Sequence, residues 1–158
     1  MNVLPWQEAA ARRVAAQLAA GRLPHALLVS GPAGWGEAAF ANGLALHLLG
    51  LDATLEAEGL AHHDLRWSVP EGNLIKVDAI RELAEFAQGT AQSGPRKVAV
   101  LIEAHAMNRN AANALLKTLE EPPPGTHLIL VSCRPGRLLP TLRSRCQQIT
   151  LPADRSAA

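Results

Sequence analysis

A chain of 158 residues is long enough for one domain with a sizeable core. Apolar residues make up 48% of it and aromatic ones only 3%, which excludes a disordered chain and calls for a core of Ala, Leu, Val and Ile, as in helices packed on a parallel sheet. A net charge of +1 argues against broad adhesion to nucleic acid or acidic membranes, while leaving room for a local basic spot.

The opening MNVLPWQEAA has no basic stretch followed by an apolar one, so it does not read as a secretory signal. A helix is predicted from Pro5, with Gly21 as its stop. His25–Ser30 is a short apolar run that ends at a glycine-rich loop and reads as a buried strand. Glu37 to about Leu49 is a second helix, closed by Gly50. The apolar stretch from Gly43 to Leu51 is too short to span a membrane and is interrupted by His47. Residues 51–64 form a polar excursion, and Leu65–Pro70 suits a short strand.

Asp78 is the expected N-cap of the next helix, which Gly89 ends. A strongly apolar strand then runs from Lys97 to Glu103. Asn108 caps a helix that Pro122–Pro124 stop, and Thr126–Ser132 is a further buried strand. A short helix-like segment spans 135–145, Cys146–Leu151 is the last strand, and 153–158 reads as a linker or the cut end of a longer chain. Strands alternating with helices predict an α/β fold: a parallel sheet with helices on both faces and right-handed crossovers. Two cysteines, Cys133 and Cys146, suit buried thiols in a reducing compartment, and the reading is a cytoplasmic protein.

The loop GPAGWGEA, residues 31–38, keeps the glycine spacing of the phosphate-binding pattern G-x-x-x-x-G-K-[S/T]. Gly31 and Gly36 occupy the fixed positions, with Gly34 between them. Glu37 stands where that pattern needs lysine and Ala38 where it needs a hydroxyl. Only backbone N–H groups at a helix start remain to hold an anion. At ~4 Å and an effective dielectric near 20, a unit charge contact is worth roughly 4 kcal/mol, so reversing its sign defeats ordinary ATP binding. By itself the stretch reads more readily as a tight strand-to-helix turn, which Glu37 supports by favouring the positive end of the helix dipole.

Hydrolytic versions of this loop work with two adjacent acids after a second apolar strand, one for magnesium and one for the attacking water. Here Glu103 alone follows that strand, between Ile102 and Ala104. His105 reads as a surface histidine flanking a helix. Loss at both elements predicts a chain that does not hydrolyse ATP and carries no cofactor.

Three segments then point to a family. NALLKTLEEPPPGTHLILVS at 113–132 is followed by LPTLRSRCQQ at 139–148 and preceded by LPHALLVSGPAGWG at 23–36. Together they resemble the clamp-loader subunits of bacterial DNA polymerase III, in the AAA+ superfamily, over essentially the whole chain from Pro5 to Leu151. The incomplete nucleotide site resembles that of the delta-prime branch.

The resemblance implies a P-loop NTPase-like (AAA+) three-layer α-β-α fold with a five-stranded parallel sheet over residues 1–152. The lid and collar domains of that family would follow residue 158, and without a collar the domain is expected to be monomeric. The resemblance also implies that Arg145, in Ser144-Arg145-Cys146, reaches into a neighbour's ATP site as an arginine finger, with Arg143 as the second candidate. Its implied partners are gamma/tau-like and delta-like subunits, and through them the sliding clamp and primed DNA. Nothing in the chain resembles a polymerase active site.

The family's four-cysteine zinc module is missing from 51–64, and His62, His63 and Asp64 lack tetrahedral spacing, so no metal is expected. Direct DNA binding by Arg12, Arg13, Arg109, Lys117, Arg134, Arg137, Arg143 and Arg145 is disfavoured by the acids among them. Trp6 is expected to anchor the first helix to the core, and a Trp35 ring folded inward would plug the glycine loop.

Overall fold

The computed structural model describes residues 1 and 3–153; the expected linker lies outside the described residues from Asp154 onward. Five strands form one sheet: β1 (Ala26–Ser30), β2 (Leu65–Ser68), β3 (Lys97–Leu101), β4 (Thr126–Ser132) and β5 (Gln147–Thr150). Their order is β2-β3-β4-β1-β5, and every pairing is parallel. The helices are α1 (Glu8–Ala19), α2 (Glu37–Leu49), α3 (Val77–Gln88), α4 (Arg109–Glu120) and α5 (Pro140–Ser144).

The three central strands, β1, β3 and β4, are buried along their whole length, as continuous apolar runs predict. Side chains alternate between two cores, because successive residues of a strand face opposite ways. Leu27, Val29, Val98, Val100, Ile129 and Val131 pack with Phe40 and Leu44 of α2 and Val14 of α1. Ala26, Leu28, Ala99, Leu101, Leu128 and Leu130 pack with Ile80 and Leu83 of α3, Leu115 of α4 and Leu142 of α5. The result is the expected α-β-α sandwich.

Several boundaries differ from expectation. Pro5–Gln7 form a 3-10 turn before α1, since proline fixes the first turn but supplies no donor. The α3 helix starts at Val77 with Lys76 at its N-cap; Asp78 lies inside the first turn and pairs with Arg81 at 3.4 Å instead of capping. Asn108 does cap α4, accepting a hydrogen bond from the Ala111 amide at 2.8 Å. The 135–145 segment divides into a 3-10 turn at Pro135–Arg137 and the five-residue α5. Cys133 and Cys146 are free but only half-buried, and burial pushes the Cys146 thiol up to about 11. Among the described residues no helix is long and apolar enough to cross a membrane.

Candidate functional site

Parallel strands put all strand-to-helix turns that follow the strands at one end of the sheet. The glycine loop follows β1 there, Glu103 follows β3, and Ser132 closes β4. Gly36 is the N-cap of α2, with φ 89°, and Gly34 shares the left-handed region at φ 82°. Gly31 has another reason to be glycine: a Cβ there would lie 3.0 Å from the carbonyl oxygen of Leu151, just beyond β5.

The N-terminal segment closes over this loop. The buried Gln7 donates its side-chain amide to the Gly36 carbonyl at 2.9 Å and to the Trp35 carbonyl at 3.4 Å. The Trp6 indole N–H donates to the same Trp35 carbonyl at 3.0 Å. A Cβ on Gly36 would stand 2.5 Å from Leu4 Cδ1 and 2.9 Å from Gln7 Nε2. Trp6 is therefore not a core anchor. It is half-buried and meets the Trp35 ring edge-on, with centroids 6.0 Å apart and planes at 83°. Trp35 is likewise half-buried and paired with Trp6. Leu4 and Gln7 are the side chains pressed against Gly36; Gln7 carried no signal in the sequence, because its role depends on a contact between residues 29 positions apart.

Glu37 opens α2 and is half-buried, with Oε2 buried and without a hydrogen-bond partner among the described residues. A carboxylate thus occupies the position where phosphate chemistry needs a cation. Glu103 is exposed and is a non-glycine residue with positive φ, 51°. Strand β4 lies between its strand and β1, which sets their backbones roughly 10 Å apart. His105 is not a simple surface group: it is half-buried and its Nδ1 lies 2.8 Å from Ser132 Oγ. Burial, with Arg134 and Arg137 adding to it, holds its pKa below the ordinary value against the pull of Glu103. Ser132 Oγ also accepts from the Arg134 amide at 3.0 Å.

Arg143 and Arg145 lie at the opposite end of the sheet. Arg145 is the C-cap of α5 and precedes β5, whose four residues run parallel to β1 with Ser30 opposite Thr150. The strand alone spans roughly 13 Å, so Arg145 cannot reach the glycine loop of its own chain. Arg145 is exposed and forms an ion pair with Glu120 at the end of α4, at 3.1 Å. Arg143 is half-buried, with Nε buried and unbonded among the described residues.

The residues His62, His63 and Asp64 do not converge. The His62 Nδ1 accepts from the Asp64 amide at 3.0 Å. The Asp64 carboxylate accepts from the Gln92 and Ser93 amides, each at 2.7 Å. Burial opposes the charge on Asp64, but those two amides, with His62 and Lys97, hold its pKa below the ordinary value.

Comparison with known proteins shows the family and the fold. The family described as "DNA polymerase III, delta subunit" matches residues 6–155. The chain is 42% identical to a DNA polymerase III subunit delta' of Pseudomonas aeruginosa, over 99% of this chain and 51% of that protein. It is 38% identical to the Escherichia coli subunit delta', over 93% of this chain and 48% of that protein. It therefore spans about half the length of these relatives. A DNA polymerase III gamma subunit-related protein from Thermotoga maritima superposes with a TM-score of 0.74 at 25% identity, covering 85% of this chain and 43% of that one.

Proposed function

This chain belongs to the delta-prime family of bacterial DNA polymerase III subunits, with an AAA+ fold, and from that premise we propose a clamp-loader subunit that does not itself hydrolyse ATP and completes the ATP site of a neighbour. Residues 1–152 form its AAA+ domain. The observation that carries the reading is the placement of Arg145: exposed, at the sheet end remote from its own glycine loop, and so available to another subunit. A guanidinium delivered to a neighbour's phosphates neutralises the charge that develops during transfer, an effect on the order of 10³–10⁵ in rate in other NTPases. Arg143, half-buried in α5, is the second candidate.

The chain's own loop supports the non-hydrolysing part. Glu37 puts a carboxylate beside it, Ala38 offers no hydroxyl for magnesium, and Glu103 stands without a second acid. The partners are the tau/gamma-like ATPase subunits and a delta-like subunit, and the assembly places a sliding clamp on primed DNA in the cytoplasm. No polymerase chemistry resides in this chain.

The test is Arg145→Ala in the full-length subunit assembled with its partners. ATP turnover stimulated by clamp and DNA is expected to fall at least tenfold while assembly persists. Unchanged turnover would rule out the trans role. Calorimetry with ATP and magnesium should show no micromolar binding to this chain; such binding would instead support a weak ATPase.

A further inference from the structure

The end of the sheet away from the glycine loop holds a cavity of about 310 Å³ lined by Leu18, Gly21, Leu23, His25, Pro95, Arg96, Gly125 and His127. Of these, three carry polar side chains, and all three are basic. His25 and Arg96 immediately precede β1 and β3, and His127 is the second residue of β4.

His25 and His127 stack with ring centroids 6.0 Å apart and planes at 30°. His127 is buried; its Nδ1–H donates to the Pro24 carbonyl at 3.2 Å. Its Nε2 lies 3.1 Å from Arg96 Nη1, so the guanidinium donates and the imidazole accepts. That arrangement requires a neutral His127, and burial together with the neighbouring Arg96 and His25 does hold its pKa down, to about 4. His25 Nδ1–H donates to the Thr126 carbonyl at 3.1 Å, which leaves Nε2 for another partner, and His25 is exposed.

Arg96 forms no ion pair among the described residues. Asp64 lines a small adjoining cavity with His62 and Arg96. Its two oxygens are already engaged by the Gln92 and Ser93 amides. A guanidinium fixed through one N–H by a neutral imidazole keeps its other donors in a planar fork, which matches the oxygens of phosphate or carboxylate.

We propose that this cavity is a binding site for a small oxyanion of the phosphate class, gripped by Arg96 and His25 while His127 orients Arg96. Arg96 supplies the forked donors, His25 Nε2, left open by the Nδ1–H bond to Thr126, accepts from the anion's own O–H, and Leu18, Leu23 and Pro95 supply apolar walls. The site lies at the sheet end away from the glycine loop, as Arg145 does, but shares no lining residue with either, and its occupant needs no nucleoside.

Inorganic phosphate is the probe, titrated into the chain near pH 6 in chloride buffer and followed by imidazole NMR signals and calorimetry. A Kd on the order of 1 mM is expected, with the His25 signal moving and that of His105, at the glycine-loop end of the sheet beside Ser132, staying still. Arg96→Gln should weaken binding at least tenfold and His25→Asn several-fold. Arg96→Lys keeps the charge without the fork and should fall between the native chain and Arg96→Gln, which separates loss of ligand contact from loss of fold. Circular dichroism checks that each variant is folded. Absence of a saturable shift at His25, or binding undiminished in folded Arg96→Gln, overturns the proposal.

Discussion

Arg145 and Glu120 form a 3.1 Å ion pair between the ends of α5 and α4, with both side chains close to half exposed. An exposed pair of this kind contributes about 0.2–1 kcal/mol. It holds the guanidinium outward without burying it. Glu120→Gln and Arg145→Ala are therefore each expected to change stability by less than about 1 kcal/mol, measured by urea unfolding. A much larger loss in Arg145→Ala would show that the residue is structural, and a fall in loader turnover would then lose its meaning.

The glycine loop separates two costs of adding a side chain. At Gly34 an alanine meets open space and incurs only the left-handed backbone, about 1 kcal/mol. At Gly36 it incurs the same backbone cost and also displaces Leu4 and Gln7. Gly36→Ala should be the more destabilising by at least about 1 kcal/mol, with the additional loss absent in a Gln7→Ala, Leu4→Ala background. Equal losses at the two glycines would show that the N-terminal segment does not press on the loop.

Glu103 carries left-handed backbone without the glycine that usually occupies it. Its side chain is exposed, so Glu103→Gly gives up little contact and relieves strain. A gain of roughly 1 kcal/mol in thermal or denaturant unfolding is expected, offset in part by the greater freedom of glycine when unfolded. Glu103→Val should destabilise. Destabilisation by glycine would indicate that the carboxylate makes a stabilising interaction.

His127 predicts a pH dependence with a definite sign. Its pKa falls from the ordinary 6.5 to about 4 on folding, because burial disfavours the cation and Arg96 and His25 add to that. Between those values the unfolded chain binds a proton that the folded chain refuses, so stability falls as pH drops. The contribution is complete above pH 6.5 and is lost progressively down to about 4, in total roughly 3 kcal/mol. His127→Gln should flatten the stability profile over that window. An unchanged slope in the variant would assign the acid sensitivity elsewhere, for instance to Asp64 at still lower pH, whose charge is stabilised in the fold and lost on protonation.

By itself the sequence determined what near neighbours control. Continuous apolar runs became β1, β3 and β4, Asn108 capped α4 through its own next turn, and the spacing of Gly31 and Gly36 marked a strand-to-helix turn. The LEEPP and Ser-Arg-Cys segments carried the family. What the tertiary structure decided rests on partners far apart in the chain. The parallel run of β1 and β5 set Arg145 and the glycine loop at opposite ends of the sheet. Folding brought Gln7 to Gly36 and Arg96 to His127, contacts across 29 and 31 positions. No local periodicity or turn rule encodes such pairs: they form only when parallel strands, each returned by a crossover, align their starts at one end and their turns at the other.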